Sequence, residues 1–186
     1  MSEELKGKRI AFLVANVGVE QVELTRPWQA VEEAGGTPVL IAPELDAVQA
    51  VHGDLEPGDK FTPDQSLTSA SPTAFDALVL PGGVANPDKL RLSSDAVAFV
   101  RGFANAGKPV ASICHGPWTL VEAGAIRGKT VTSWPSLQTD IRNAGGRWID
   151  SEVVTCREEG FTLVTSRKPD DLDAFTETLV DVFAGQ

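Results

Sequence analysis

Residues 109–118 read Pro-Val-Ala-Ser-Ile-Cys-His-Gly-Pro-Trp, and this stretch decides the fold prediction. The apolar run Pro109–Ile113 is typical of a buried strand, and Gly116 and Pro117 allow a helix to begin directly after it. A strand that turns at once into a helix holds the residue at the turn in a tight conformation with its side chain presented outward, as in nucleophile elbows. Cys114 occupies that turn and is the candidate nucleophile. We expect the following helix N-terminus to favour its thiolate.

Strand-like and helix-like segments alternate along the rest of the chain, which is typical of a parallel sheet covered by helices on both faces. Strand patterns lie at Arg9–Ala15, Thr37–Ala42, Asp76–Leu80 and Pro109–Ile113, near Thr130–Ser133, and at Glu152–Cys156 and Phe161–Thr165. Helical patterns lie at Glu20–Ala34, Asp95–Ala106, near Trp118–Ala123, near Leu137–Asn143 and from about Asp170 to Phe183, the last with Asp170 and Asp171 as expected caps. The sequence therefore predicts an α/β fold with a doubly wound, mostly parallel sheet.

The length of 186 residues fits one domain, residues 1–186, with a core large enough to need no disulfide or structural metal. Residues 43–75 interrupt the alternation and are rich in Asp, Pro, Gly and Ser. We interpret this stretch as a protruding hairpin arm and a candidate dimerisation element, with a mobile surface loop as the alternative.

The composition limits the classes of partner that we expect the protein to bind. Sixteen Lys and Arg residues against 26 Asp and Glu give a net charge of −10, which opposes stable binding to nucleic acid or to an anionic membrane surface. The first residues show no apolar signal region, no segment approaches the ~20 apolar residues of a membrane span, and the two cysteines suggest no disulfide framework. We therefore expect a cytoplasmic protein. We also predict no metal and no cofactor, because neither ligand spacings nor a phosphate-binding loop occur.

Four sequence features are candidates for chemistry beside Cys114. His115 follows it directly and is either the base or merely a polar residue at a helix start. Glu20 lies where the first strand gives way to the first helix, and we expect it to meet Cys114 at the carboxyl edge of the sheet, with a raised pKa that lets it donate a hydrogen bond to sulfur. Glu23, one helical turn on, is the competing carboxylate, and either acid can instead complement the helix dipole.

The fourth feature is Pro81-Gly82-Gly83, at the end of another predicted strand. Glycines there allow backbone N–H groups to approach a developing oxyanion, and the N–H of His115 would be the second donor.

Taken together, these segments resemble the PfpI/ThiJ superfamily, and within it the branch of PfpI-type intracellular cysteine peptidases, protein deglycases and general stress proteins. The segments that carry the resemblance are Ala15-Asn16 with Glu20–Leu24, Asp76–Gly83, Gly107–Pro117, Asn143–Gly146, Thr165–Arg167 and Pro169–Leu172. Class I glutamine amidotransferases share the cysteine turn but use a downstream histidine, and none follows His115 here.

The resemblance implies a flavodoxin-like fold, class I glutamine amidotransferase-like in its topology. It also implies roles for individual residues: Cys114 as nucleophile, Glu20 as its carboxylic acid partner and Gly83 as an oxyanion contributor. In this branch the histidine pairs with an acid of the neighbouring subunit. The matching position is Asp88, shorter than the Glu of some relatives, and a homodimer or higher oligomer follows as an expectation.

We thus expect a stress-response cysteine hydrolase. Its expected substrates are small carbonyl compounds and glycated proteins or peptides, in particular adducts of glyoxal and methylglyoxal. The alternative is an oxidative-stress sensor or chaperone that uses the same reactive cysteine. Multiple turnover distinguishes the two, because a sensor is consumed stoichiometrically.

Overall fold

The computed structural model describes residues 3–185 and contains twelve strands and six α-helices. The strands are β1 Arg9–Leu13, β2 Val17–Glu20, β3 Thr37–Ala42, β4 Val48–His52, β5 Glu56–Phe61, β6 Gln65–Ser66, β7 Ala77–Leu80, β8 Val110–Ile113, β9 Thr130–Val131, β10 Arg147–Trp148, β11 Val153–Cys156 and β12 Leu163–Ser166. The helices are α1 Gln21–Glu33, α2 Ala85–Leu90, α3 Ser94–Asn105, α4 Pro117–Glu122, α5 Gln138–Asn143 and α6 Leu172–Ala184.

Seven strands form the central sheet, in the order β11-β12-β8-β7-β1-β3-β6. All neighbours are parallel except β11, which runs antiparallel to β12 at one edge. The strand order moves outward in both directions from β1 and β7, so the carboxyl ends of the inner strands gather at one rim. The predicted α/β fold with a mostly parallel, doubly wound sheet is confirmed.

Alternating side chains of the sheet build two cores, one on each face. In β1, Ile10 and Phe12 pack with residues of α1 and α6, whereas Ala11 and Leu13 pack with residues of α3, α4 and α5. All four side chains are fully buried. Burial on both faces explains why the strand reads as a continuous apolar run.

Two helix boundaries differ from the sequence prediction. Glu20 does not begin α1, because Val17–Glu20 forms β2. At the other end of the chain, Asp171 precedes α6 but its side chain makes no cap hydrogen bond. It instead accepts two hydrogen bonds from the Arg167 guanidinium, at 2.8 and 2.9 Å.

Within the segment 43–75, Val48–Phe61 forms a hairpin that lies against the body of the protein, and β6 joins the edge of the central sheet. β4 pairs antiparallel with β5 and parallel with β2, which makes a second, three-stranded sheet. Val48 and Ala50 are fully buried, so the hairpin does not project freely as an arm. Its tip turns at Gly53 and Asp54, over the rim where the inner strands end.

Among residues 3–185, no helix is long and apolar enough to cross a membrane.

Candidate active site

Cys114 occupies the sharp turn between β8 and α4 that the sequence predicts. Its φ of 61° lies in the left-handed region, which costs a non-glycine residue roughly 1–2 kcal/mol. The turn is crowded, since a Cβ at Gly116 would lie 2.4 Å from the Leu80 carbonyl oxygen. The residue is nevertheless only 6% exposed, so the sulfur is recessed and not presented openly as the elbow pattern implies.

The carboxyl group beside this thiol belongs to Glu23 and not to Glu20. Glu23 is fully buried and interacts with the Cys114 side chain, and a Cβ at Gly82 would lie 2.5 Å from Glu23 Oε2 and 2.6 Å from Cys114 Cβ. Glu20 ends β2 and faces the hairpin instead, where its Oε2 accepts the N–H of Asp54 at 3.3 Å. The expected contact between Glu20 and Cys114 is therefore corrected. Glu20 lies directly before α1 and pairs with Val51 of β4, which places it beside the hairpin.

The Glu23 carboxyl holds its proton at neutral pH. Burial raises its pKa to about 8, against the effect of hydrogen bonds with Cys114 and Gly82, and the charges of Glu20 and Asp54 add to the rise. Its Oε2 accepts the Gly82 N–H at 2.9 Å, whereas Oε1 is buried and meets no hydrogen-bond partner of standard geometry among residues 3–185.

The environment of Cys114 contains opposing influences on its ionisation. Burial raises the pKa of the thiol, and an ionised Glu23 raises it further, while the N–H groups of Gly83 and His115 lower it. The expected effect of the helix N-terminus is thus outweighed by desolvation. A protonated Glu23 removes the like-charge repulsion, which makes the carboxyl and the thiol one coupled unit.

His115 lies against the thiol, with Nδ1 at 3.1 Å from Cys114 Sγ. Its Nε2 is 3.5 Å from Ser136 Oγ, and its ring packs against Trp118 and Trp134 at centroid distances of 5.3 and 5.8 Å. Burial lowers the pKa of His115, against the raising effect of Asp54. A neutral imidazole in contact with a thiol is a suitable proton acceptor.

The loop after β7 supplies the backbone donors, and its glycines are required by close packing. Gly83 has a φ of 81°, and a Cβ there would lie 2.1 Å from the Gly18 carbonyl oxygen. The fully buried Asn86 fixes the loop, since its Nδ2 donates to the carbonyls of Pro81 and Gly82, each at 3.0 Å. Gly82 thus orients Glu23, and Gly83 donates toward sulfur.

Asp88 remains a prediction. It lies on the exposed side of α2, and within residues 3–185 no hydrogen bond or ion pair joins it to His115. The proposed pairing requires a second subunit.

The second cysteine does not join the site. Cys156 lies on the edge strand β11 and is 5% exposed, and both cysteines are free. No group of His, Cys, Asp or Glu side chains in the described part of the chain has a geometry that would hold a metal ion.

Three residues of the site carried no signal in the sequence. Ser136 lies 21 positions from His115, Asn86 accepts the N–H of Ala15 across 71 positions, and no motif marks these residues or Asp54. Asp54, for example, reaches the loop after β7 across 30 positions of the chain.

Comparison with known proteins agrees with this architecture. The family model described as "DJ-1/PfpI family" matches residues 8–182. Deglycase PH1704 of Pyrococcus horikoshii is 40% identical over 92% of this chain and 97% of its own length. Protein/nucleic acid deglycase 2 of Escherichia coli is 42% identical over 90% of this chain and 93% of its own, and general stress protein 18 of Bacillus subtilis is 40% identical over 91% and 94%.

A solved structure shares the whole fold. Drosophila melanogaster DJ-1beta superposes with a TM-score of 0.83 at 28% sequence identity, over 100% of this chain and 92% of that one. On the match to the family model and the identity with these relatives, the chain belongs to the DJ-1/PfpI family.

Proposed function

We propose that this protein is a stress-response cysteine hydrolase that acts on adducts of glyoxal and methylglyoxal. The observation that carries the proposal is the convergence of three groups on one recessed sulfur: His115 Nδ1 at 3.1 Å, the protonated Glu23 carboxyl, and the Gly83 N–H. The relatives named deglycases and a general stress protein support the same class of reaction.

The first step adds the sulfur to the aldehyde carbon of the substrate. His115 takes the thiol proton as the C–S bond forms, and passes it to the carbonyl oxygen, which gives a hemithioacetal. The N–H groups of Gly83 and His115 are placed to stabilise the developing oxyanion.

The second step moves a proton between the two substrate carbons. His115, neutral again, removes the C1 hydrogen as a proton and returns it to C2, while the protonated Glu23 carboxyl gives its proton to the C2 oxygen and takes one back from the C1 hydroxyl, which converts the hemithioacetal into a thioester of a 2-hydroxy acid. C1 is oxidised and C2 is reduced, so no external redox partner is required. A carboxyl with a pKa of about 8 is well matched to such a transfer near neutral pH.

Water then attacks the thioester, the C–S bond breaks and the hydroxy acid leaves, which for methylglyoxal is lactate. In a hemiaminal or hemithioacetal adduct the same sulfur bonds to the adduct carbon, the C–N or C–S bond to the modified group breaks, and the amine or thiol leaves with the proton that Cys114 gives up through His115. Hydrolysis of peptides by this site would need a proton for the departing amine. In this proposal that proton comes from His115 oriented by the partner subunit's Asp88 in a cytoplasmic homodimer.

The test is multiple turnover of methylglyoxal, measured as lactate formed per protein molecule in a buffer free of amines and thiols. Cys156→Ser is the matched cysteine control. We expect many turnovers by the unmodified protein and by Cys156→Ser, and none by Cys114→Ser. Equal turnover in both cysteine variants, or less than one lactate per protein, overturns the proposal.

An oxidation sensor is the second candidate, because the two N–H donors and the protonated carboxyl at Cys114 would equally hold a sulfinate. It is favoured if turnover is absent and peroxide oxidises Cys114 faster than Cys156, as read by mass spectrometry of the two peptides.

A further inference from the structure

The tip of the β4–β5 hairpin carries an aspartate at a position where glycine is usual. Gly53 and Asp54 have φ values of 58° and 67°, and the N–H of Leu55 donates to the carbonyl of His52 at 3.4 Å. Two successive left-handed residues define a type I′ turn, in which glycine is strongly preferred at the second central position. An aspartate stands there instead, so the turn geometry alone does not explain this residue.

The side chain of Asp54 reaches the loop that carries the oxyanion donors. Its Oδ1 accepts the N–H of Val84 at 2.7 Å, and Val84 directly follows Gly83. The N–H of Asp54 in turn donates to Glu20 Oε2 at 3.3 Å. Glu20, which does not contact Cys114, thereby holds the hairpin tip.

The strand β5 is fixed independently, at Asp59. The Gln21 side chain makes two hydrogen bonds with Asp59, accepting its N–H and donating to its carboxylate, both at 2.7 Å. The hairpin is thus attached at its turn, through Asp54, and within β5, through Asp59, and forms a strap across the rim of the sheet. The Asp54 attachment reaches the loop beside Cys114.

We propose that Asp54 is a positioning residue of the thiol site: its carboxylate fixes the loop that presents the Gly83 N–H to Cys114. The role of Asp54 in catalysis rests on the proposed function. Independently of catalysis, we expect the loop to lose its alignment when the Val84 N–H loses its acceptor. The closeness of the charge to the site is consistent with this placement, because Asp54 raises the pKa of both His115 and Glu23.

Other ionisable groups surround the same site and must be held constant in a test. The charged and titratable side chains that face Cys114 and His115, directly or through the Trp118 ring, are Glu23 on α1, Glu20 on β2, Asp54 on the hairpin, Arg91 after α2 and Asp140 on α5. The variants below leave all but Asp54 unchanged.

Two substitutions distinguish the effect of the acceptor oxygen from the effect of the turn conformation. Asp54→Asn keeps an acceptor oxygen and tolerates the left-handed conformation. Asp54→Gly favours the turn but removes the acceptor, so relief of the left-handed strain offsets part of the lost hydrogen bond and the variant should remain folded. Glu56→Gln removes one exposed charge from the same hairpin and is the matched control.

The readout is the rate constant for alkylation of Cys114 by iodoacetamide between pH 5 and 10, followed by mass spectrometry with Cys156 as the internal reference. We expect Asp54→Gly to slow alkylation of Cys114 about tenfold across this pH range, because a misaligned Gly83 N–H no longer lowers the pKa of the thiol and thiolate is the reactive form. Asp54→Asn should stay within about threefold and Glu56→Gln within about twofold of the unmodified protein.

An unchanged Cys114 profile in Asp54→Gly overturns the inference, and so do equal losses in Asp54→Gly and Asp54→Asn, since the second keeps the acceptor. Failure of the proposed function is a separate result. In that case the unmodified protein forms no lactate while the alkylation profiles still differ between the Asp54 variants.

Discussion

Cys114 Sγ and His115 Nδ1 lie 3.1 Å apart although the two residues are adjacent in the chain. Side chains of successive residues normally diverge. Here the left-handed backbone at Cys114, with a φ of 61°, folds the chain so that the imidazole returns to the sulfur. The stacking of His115 on Trp134 and its contact with Trp118 hold the ring in this position.

Removal of this imidazole should abolish most of the activity. We expect His115→Gln to lower kcat for methylglyoxal about 10²-fold to 10⁴-fold, the usual contribution of a positioned base. The control is His52→Gln, which changes the other histidine of the chain, an exposed residue of the hairpin. Equal activity of the two variants would show that His115 takes no part in proton transfer.

The stability of the protein should fall as the pH rises toward alkaline values. Glu23 has a pKa of about 8 in the folded protein against an ordinary value of 4.5, so the folded state binds this proton more tightly than the unfolded state. The resulting stabilisation is fully present below pH 4.5 and is lost as the pH rises through 8. The slope is at most about 1.4 kcal/mol per pH unit.

The measurement is the free energy of unfolding by urea between pH 4 and 9, for the unmodified protein and for Glu23→Gln. The isosteric amide does not ionise, so the difference between the two proteins isolates the carboxyl. A difference that stays constant with pH would show that Glu23 titrates normally.

Gly83 should tolerate no side chain. In Gly83→Ala the new methyl group would lie 2.1 Å from the Gly18 carbonyl oxygen, and we expect a loss of several kcal/mol in the free energy of unfolding. Gly160→Ala is the matched control, because Gly160 has a φ of 82° but no atom within 4 Å of the added Cβ. That variant should lose only the left-handed strain, about 1–2 kcal/mol. Similar losses in the two variants would contradict the close packing of the loop on β2.

Lys129 should stabilise the segment around Glu158 and Phe161, away from the site. Its side chain is fully buried, its Nζ donates to the carbonyls of Glu158 and Phe161, and it lies 3.7 Å from the centroid of the Phe161 ring. Lys129→Met leaves both carbonyls without this donor, and we expect a loss of about 3 kcal/mol in thermal or urea unfolding. Lys6→Met changes an exposed ion pair with Glu3 and should stay within about 0.5 kcal/mol. A loss no larger than that in Lys129→Met would refute this role.

The sheet could be predicted because its strands are buried on both faces and read as apolar runs between turn residues. The run before Cys114 is the strongest example, since strand, turn and helix signals follow one another without a gap. The choice between Glu20 and Glu23 could not be settled in this way. It depends on β2, whose pairing with β4 joins residues 31 or 32 positions apart, and a four-residue strand leaves no periodicity of its own.

The contribution of Asp54 could not be predicted from the sequence either. A Gly-Asp pair predicts a turn, but not that the turn will meet the N–H of Val84 across the rim of the sheet. Contacts between loops depend on how the elements pack, and a single sequence carries no local pattern for them.

The most direct test compares lactate formation from methylglyoxal by Glu23→Gln and Glu20→Gln. The Glu23 carboxyl lies against Cys114 and the Glu20 carboxyl lies against the hairpin. We predict a loss of at least about 10²-fold in kcat for Glu23→Gln and only a few-fold change for Glu20→Gln. Loss of activity in Glu20→Gln with full activity in Glu23→Gln would contradict this prediction.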